Sequence, residues 1–374
     1  MQICDRGVVF LGAAGSDYAS ACFAGLCVLP SGRWLVAFRV APRKADTRPQ
    51  RVLVTVSDDA GHTWRTPAAP FAPEQLDGRP GDWRCGQPTA LGGRRVVMAL
   101  YWVDASDPSL PFFNPQTEGL LDSRIFLTVS TDDGDTWGPP RPVDTSPYCV
   151  PTPITGPLLP LADGRWAVQF ETNKHYLDTA PWRHQAVLLF SSDGGQTWPE
   201  HADIGSDPEG RVFYWDQRPA VLADGSLLAL FWTFDRQTAA YLNIHARASH
   251  DSGRTWSAIW DTGVPGQPAA AVSLGDGRLA MPYVDRERVP VIKLRVSADG
   301  GRTWPQATEL ALDDRLERAQ QGGKASMQDA WSEMAAFSLG LPTSTRLPGG
   351  EVLVVYYAGP KADHTGLYWV RVGA

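Results

Sequence analysis

Carboxylates interleaved with indoles, phenols and guanidinium groups recur along this chain of 374 residues. They gather at Asp17, Arg39, Arg43 and Asp46, at Asp82, Arg84, Trp102 and Asp104, and at Glu171, Lys174, His175, Tyr176 and His184. Further groups are Tyr214, Trp215, Asp216, Arg218, Trp232 and Asp235, then Tyr283, Arg286 and Arg288, then Gln328, Trp331, Glu333, Tyr356 and Tyr357. Such a mixture suits a sugar, whose C–H faces stack on aromatic rings while its hydroxyls need forked acceptors. Cleaving a glycosidic bond needs one protonated and one ionised carboxyl, or a phenol nucleophile, across that bond. Asp46 and Asp216 are the first carboxyls to consider, with Glu171, Asp235 and Glu333 behind them. Trp102, Trp215, Trp232 and Trp331 would form a stacking platform. Arg43, Arg218, Arg286 and Arg288 would hold an anionic or polyhydroxylated group. His175, Tyr176 and His184 on one loop offer another chemistry, abstraction of a proton beside an arginine-neutralised uronate.

Composition narrows the alternatives. A formal net charge of −7, from 34 basic and 41 acidic residues, provides no basic stripe for nucleic acid. No apolar run is long enough to span a membrane. The five cysteines, at 4, 22, 27, 85 and 149, lack metal-site spacing, and nothing else calls for a metal or cofactor. The first residues carry no charged segment followed by a long apolar stretch, so a cytoplasmic location is expected.

The elements that must position these groups are written in a repeat. Ser-x-Asp-x-Gly-x-Thr-Trp occurs five times, at Ser57–Trp64, Ser130–Trp137, Ser191–Trp198, Ser249–Trp256 and Ser297–Trp304, with its aspartates 73, 61, 58 and 48 residues apart. Spacing of this order reads as a propeller. A short Asp closes a tight turn on backbone N–H groups, Gly supplies a left-handed position, and Trp plugs the seam beside the next strand. Identical aspartates on five repeats cannot converge on one site, so the motif is read as a hairpin staple. Each copy follows a strand-like run such as 51–56 or 186–190. A second series of Gly turns, at 29–33, 91–94, 161–165, 222–226, 274–278 and 347–351, numbers six.

Six turns against five staples give an all-β, six-bladed propeller occupying residues 1–374 as one domain. The last blade would have strands near 335–340, 352–358 and 366–373, with residues 7–11 from the other terminus as its outer strand, removing an exposed edge. Gly turns and staples share one face. The opposite face then carries the long loops 40–50, 104–123 and 172–184, where binding groups are expected.

The staple resembles the Asp-box of sialidases, and with six blades and a swapped N-terminal strand the whole chain is similar to the sialidase (neuraminidase) superfamily. The resemblance implies an acid/base Asp in the loop before the first box, which Asp46 matches. It implies an Arg in the segment Asp285-Arg-Glu-Arg288, and an activating carboxylate where Asp216 stands. It also implies an Arg in a Phe-Arg-Ile-Pro phrase, replaced here by Cys22-Phe-Ala-Gly25, and a second Arg near 230–235, where there is none. The Tyr nucleophile is replaced by Trp331 in Trp-Ser-Glu333, and an indole has no such chemistry. The expected activity is that of a sialidase-like glycoside hydrolase acting on a glycan other than ordinary sialosides. A polysaccharide lyase and a non-catalytic glycan- or protein-binding propeller are the other readings.

Overall fold

The computed structural model describes residues 1–154, 156–286, 290–313 and 324–373. The expected staples form as hydrogen-bonded units. In the first, Ser57 Oγ donates to Asp59 Oδ1 at 2.8 Å and accepts from Gly61 N–H at 2.8 Å. The Thr63 N–H and hydroxyl donate to the two Asp59 oxygens at 2.8 and 2.6 Å. The other four boxes repeat this pattern around Asp132, Asp193, Asp251 and Asp299. Each aspartate spends its oxygens on its own turn. Two consecutive left-handed residues close the first box, Ala60 and Gly61 (φ 58° and 91°), and a Cβ on Gly61 would collide with Trp34 and Trp369.

The chain is an all-β propeller whose strands pair antiparallel in sequence order. Four blades stand as separate sheets of four or five strands. This corrects the expected six separate blades, because the remaining strands form one seven-stranded sheet. In it, Leu339–Arg346, Val352–Lys361 and His364–Gly373 continue into Ser20–Val28, Trp34–Ala41 and Arg51–Ser57. The link is a single parallel pair, Ser20 with Thr365. It forms because the Thr365 hydroxyl accepts from Ala21 N–H at 2.9 Å and donates to Ala21 O at 2.7 Å, while Ser20 Oγ reaches Ala362 O at 2.9 Å.

Gln2–Leu11 pairs with His364–Gly373 from Gln2 opposite Gly373 to Leu11 opposite Gly366, so the termini close the ring with a longer strand than residues 7–11. Cores lie between neighbouring sheets. Val97, Tyr101 and Ile125 of one sheet meet Phe170, Val187 and Leu189 of the next. Arg33 in a Gly turn reaches Asp58 in the first box at 2.6 Å, placing turns and staples on one face.

Residues 327–336 depart from expectation: they form a helix, α1 (Met327–Ala336), and the last blade begins only at Leu339. Ser326 accepts from Asp329 N–H at 3.1 Å and Asp329 accepts from Ala325 N–H at 2.9 Å, a reciprocal cap. Asp329 thus serves the helix start. Among the described residues, no helix is long and apolar enough to cross a membrane.

Candidate active site

The leading long strand of one unit after another is interrupted. Ladder registers slip between Cys22 and Gly25, Trp83 and Cys85, Trp215 and Arg218, and Gly340 and Thr343. In the other two units the first strand is a fragment, Leu159–Pro160 in one and Gln267–Pro268 with Val272–Ser273 in the other. A bulge bends the strand and re-aims its side chains. Phe23, Asp216 and Leu341 take left-handed backbone at these bulges (φ 56°, 47° and 43°), each at a cost of about 1–3 kcal/mol. The re-aimed residues, together with the long loops and α1, enclose a cavity of about 410 Å³.

Glu171, at the end of Trp166–Glu171, and Asp216 meet in this cavity. Glu171 is 6% exposed and accepts the Gln217 N–H at 3.1 Å. Burial, and then the Asp216 charge beside it, raises its pKa well above the usual carboxylate range. Asp216 accepts from the Gln267 amide and faces Arg218 at 3.7 Å. Arg286 donates to Gln267 Oε1 at 2.6 Å and to Leu339 O at 3.0 Å, with its guanidinium 4.0 Å from the Phe337 ring centroid. Gly340 leaves the space that Arg286 fills.

Lys44 is 5% exposed and ties the loop after Trp34–Ala41 to the C-terminus of α1. Its ammonium donates to Met334 O at 2.7 Å, Phe337 O at 2.8 Å and the Tyr357 hydroxyl at 3.1 Å. A cation at carbonyls left over by a helix end is favourably placed. Burial, helped by the charges of Arg286, Arg39 and Arg84, pushes its pKa down to about 7. Indoles supply the walls. Trp331 on α1 stacks on Phe113 at 4.4 Å, and Trp215 stacks on Phe234 at 4.7 Å.

Of the residues expected from sequence, Glu171, Asp216, Arg218, Arg286, Trp215, Trp232 and Trp331 line this cavity. Others lie away from it. Asp46 folds back on its own loop, bonding Arg43 at 2.8 Å, and the Arg43 side chain is 70% exposed. Asp235 pairs with Arg211 at 2.6 Å and caps the turn through Gln237 N–H. Glu333 points from α1 to Lys324 at 3.0 Å and Tyr241 at 3.1 Å. Trp102 is wholly buried, with its indole N–H on Glu74 O at 2.9 Å. His175 binds Cys149 O at 2.7 Å, and the Tyr176 carbonyl holds Asn114 at 2.8 Å. His184 is buried against Phe213, and burial pushes its pKa down to about 4. Arg288 lies outside the described residues.

Sequence reasoning missed Lys44, Gln267, Phe112 and Phe337. Lys44 and Phe112 had a signal, since each lies in a loop singled out for its length, 40–50 and 104–123. Gln267 and Phe337 carry none, since their roles depend on strands from other blades.

The profile of the BNR repeat-like domain family matches residues 95–352, and the chain belongs to that family. A sialidase from Micromonospora viridifaciens is 29% identical over 227 residues, covering 53% of this chain and 33% of that protein. The match therefore spans about a third of that relative's length. A solved structure of a protein of unknown function from Dyadobacter fermentans superposes with a TM-score of 0.74 at 20% identity, over 100% of this chain and 99% of the other. The intramolecular trans-sialidase from Ruminococcus gnavus, in complex with oseltamivir carboxylate, gives 0.65 at 13% identity, over 98% and 96%. At these identities the two structural likenesses are likenesses of fold.

Proposed function

We propose that this chain is a sialidase-like glycoside hydrolase acting on a glycan other than ordinary sialosides. One observation carries the reading: Glu171 and Asp216 share an aromatic-walled cavity, where burial and the Asp216 charge raise the Glu171 pKa. A glycosidase needs such a division between two carboxyls. Glu171 donates its proton to the leaving oxygen as the glycosidic bond breaks. Asp216, fixed by Gln267 and Arg218, carries the negative charge opposite the developing oxocarbenium ion. A water then adds to the anomeric carbon and returns a proton to the carboxyl couple. Trp215, Trp232 and Trp331 stack on the sugar and exclude water. Trp331 stands where the resemblance would have a Tyr nucleophile, which is why ordinary sialosides are set aside. In this reading the seven-stranded sheet counts as two blades joined at Ser20 and Thr365, giving six around one axis in a single domain.

Aryl glycosides of varied sugars, screened against the wild type, Glu171→Gln and Asp216→Asn, test this. The reading requires both variants to lose turnover on the best substrate, and it is abandoned if both retain it.

A second reading has one supporting observation. The Tyr357 hydroxyl accepts from Lys44 Nζ at 3.1 Å beside Arg286, which puts a phenol among cations that could hold a uronate. Burial raises the phenol's pKa and opposes its use as the base. Ultraviolet absorbance of an unsaturated product from uronate polymers distinguishes this lyase chemistry from hydrolysis.

A further inference from the structure

The Glu171–Asp216 couple leaves one cation of the cavity without a task. Arg84 occupies the bulge between Trp83 and Cys85. Its guanidinium lies 4.1 Å from the Phe112 ring centroid and 5.3 Å from that of Phe23. Nη1 is closed off from solvent and has no hydrogen-bond partner among the described residues. After burial, the groups that act most on its charge are Arg39, Tyr101, Cys22 and Cys85, and none of these is a carboxylate. A guanidinium partly closed off from water and beside a second cation, Arg39, is costly to hold there unless something else supplies a counter-charge.

The cavity as a whole shows the same imbalance. Among the described residues that line it, Lys44, Arg84, Arg218 and Arg286 face only Glu171 and Asp216 as acids. Asp216 is already engaged by Arg218 and Gln267, and burial with the Asp216 charge disfavours ionisation of Glu171. Among the described residues the buried Arg286 Nε also has no hydrogen-bond partner. Arg84 and Arg286 both line the cavity, and cations that outnumber the acids there describe a place for oxygen acceptors bearing negative charge. The rings of Phe23 and Phe112 hold the Arg84 fork in place and lower the local dielectric, which strengthens an ionic hydrogen bond.

We propose that Arg84 anchors a subsite for an anionic substituent of the sugar, a carboxylate or a sulfate ester, with Arg286 and Lys44 adding positive potential around it. The inference rests on the carbohydrate reading of the cavity and narrows its substrate to an acidic sugar. Arg84 lies at none of the positions that the sialidase resemblance supplies with arginine, namely the phrase at 22–25, the strand end at 230–235 and the segment 285–288.

Isothermal titration of the full chain with glucuronate, glucose 6-sulfate and glucose tests the subsite. At least one anionic probe binds about tenfold or more tightly than glucose, and its affinity falls with added salt. Arg84→Gln weakens that probe by about 10- to 100-fold, the effect of losing a charge-assisted hydrogen bond, and leaves glucose unchanged. Arg84→Lys, which keeps the charge but loses the fork, falls between, and it decides the matter if the glutamine variant melts early. Preference for glucuronate or for the sulfate identifies the group. The subsite is overturned if neither anion binds above glucose, or if both Arg84 variants bind like the wild type. The titration reads binding alone, so its failure leaves the Glu171 turnover test standing, and the reverse.

Discussion

The two faces of this propeller handle polar groups in opposite ways. On the staple face, each Asp-box is self-sufficient: Ser297, Asp299, Gly301 and Thr303 satisfy one another within seven residues. On the cavity face almost nothing is satisfied locally. Glu171 takes a proton donor from residue 217, Asp216 one from residue 267, and Lys44 acceptors from 334, 337 and 357. Arg84 and Arg286 retain unfilled donors. Local satisfaction produces a fold that tolerates repetition. Borrowed and incomplete satisfaction produces groups with displaced protonation and room for a ligand.

The contrast is broken most sharply at Glu171. Glu171→Gln should lower kcat by about 10²- to 10⁴-fold, as removal of a general acid does. Because the pKa is raised, wild-type turnover should persist from acid pH upward and fall as pH passes through that raised value. The glutamine variant should lose this limb in a kcat–pH profile. An unchanged kcat and profile would make Glu171 a structural acid.

Next in size is the opposite experiment on the staple face. Trp304 is 3% exposed, packed in the core with Leu228 and Tyr283, its N–H on Gly301 O at 3.0 Å. Trp304→Ala should cost about 3–5 kcal/mol in denaturant unfolding while the folded fraction keeps its kcat. A selective loss of kcat without loss of stability would erase the distinction between the faces.

Lys44 joins both kinds of behaviour, and pH reads it. Its pKa falls from an ordinary 10.5 to about 7, so the native state binds fewer protons than the unfolded chain between those values. Stability should therefore decline as pH falls from about 10.5 to about 7 and level off below. Lys44→Met should remove that slope, whatever constant offset its lost hydrogen bonds add. Parallel stability curves for the two proteins over this window would refute it. The smallest effect belongs to Asp46. Asp46→Asn should leave kcat within about twofold, since its carboxyl is turned onto Arg43 rather than into the cavity. A loss like that of Glu171→Gln would show that the loop rearranges to present it.

Legibility follows the same divide. Five identical phrases named the staples, the left-handed glycines and the turn face, because each depends on residues a few positions apart. Closure by the first strand also followed, from counting turns against staples. α1 was readable and overlooked: Ser326 and Asp329 have the spacing of a reciprocal cap. The fusion of two units through Ser20 and Thr365 was not, since one threonine hydroxyl 344 residues from Ala21 makes it.

At the site, residue type selected Glu171, Asp216, Arg218, Arg286 and three of the four tryptophans. It could not separate them from Asp46, Asp235, Glu333 and Trp102. The sequence by itself determined the repeating sheet, its staples and the face on which chemistry would be sought, because hydrogen bonds and side-chain alternation act over short separations. Only the tertiary structure decided which acids share a cavity, which are spent on turns, and which arginines line the cavity beside them. Those outcomes depend on bulges in separate blades aiming side chains at one axis, and on the desolvation that their convergence imposes.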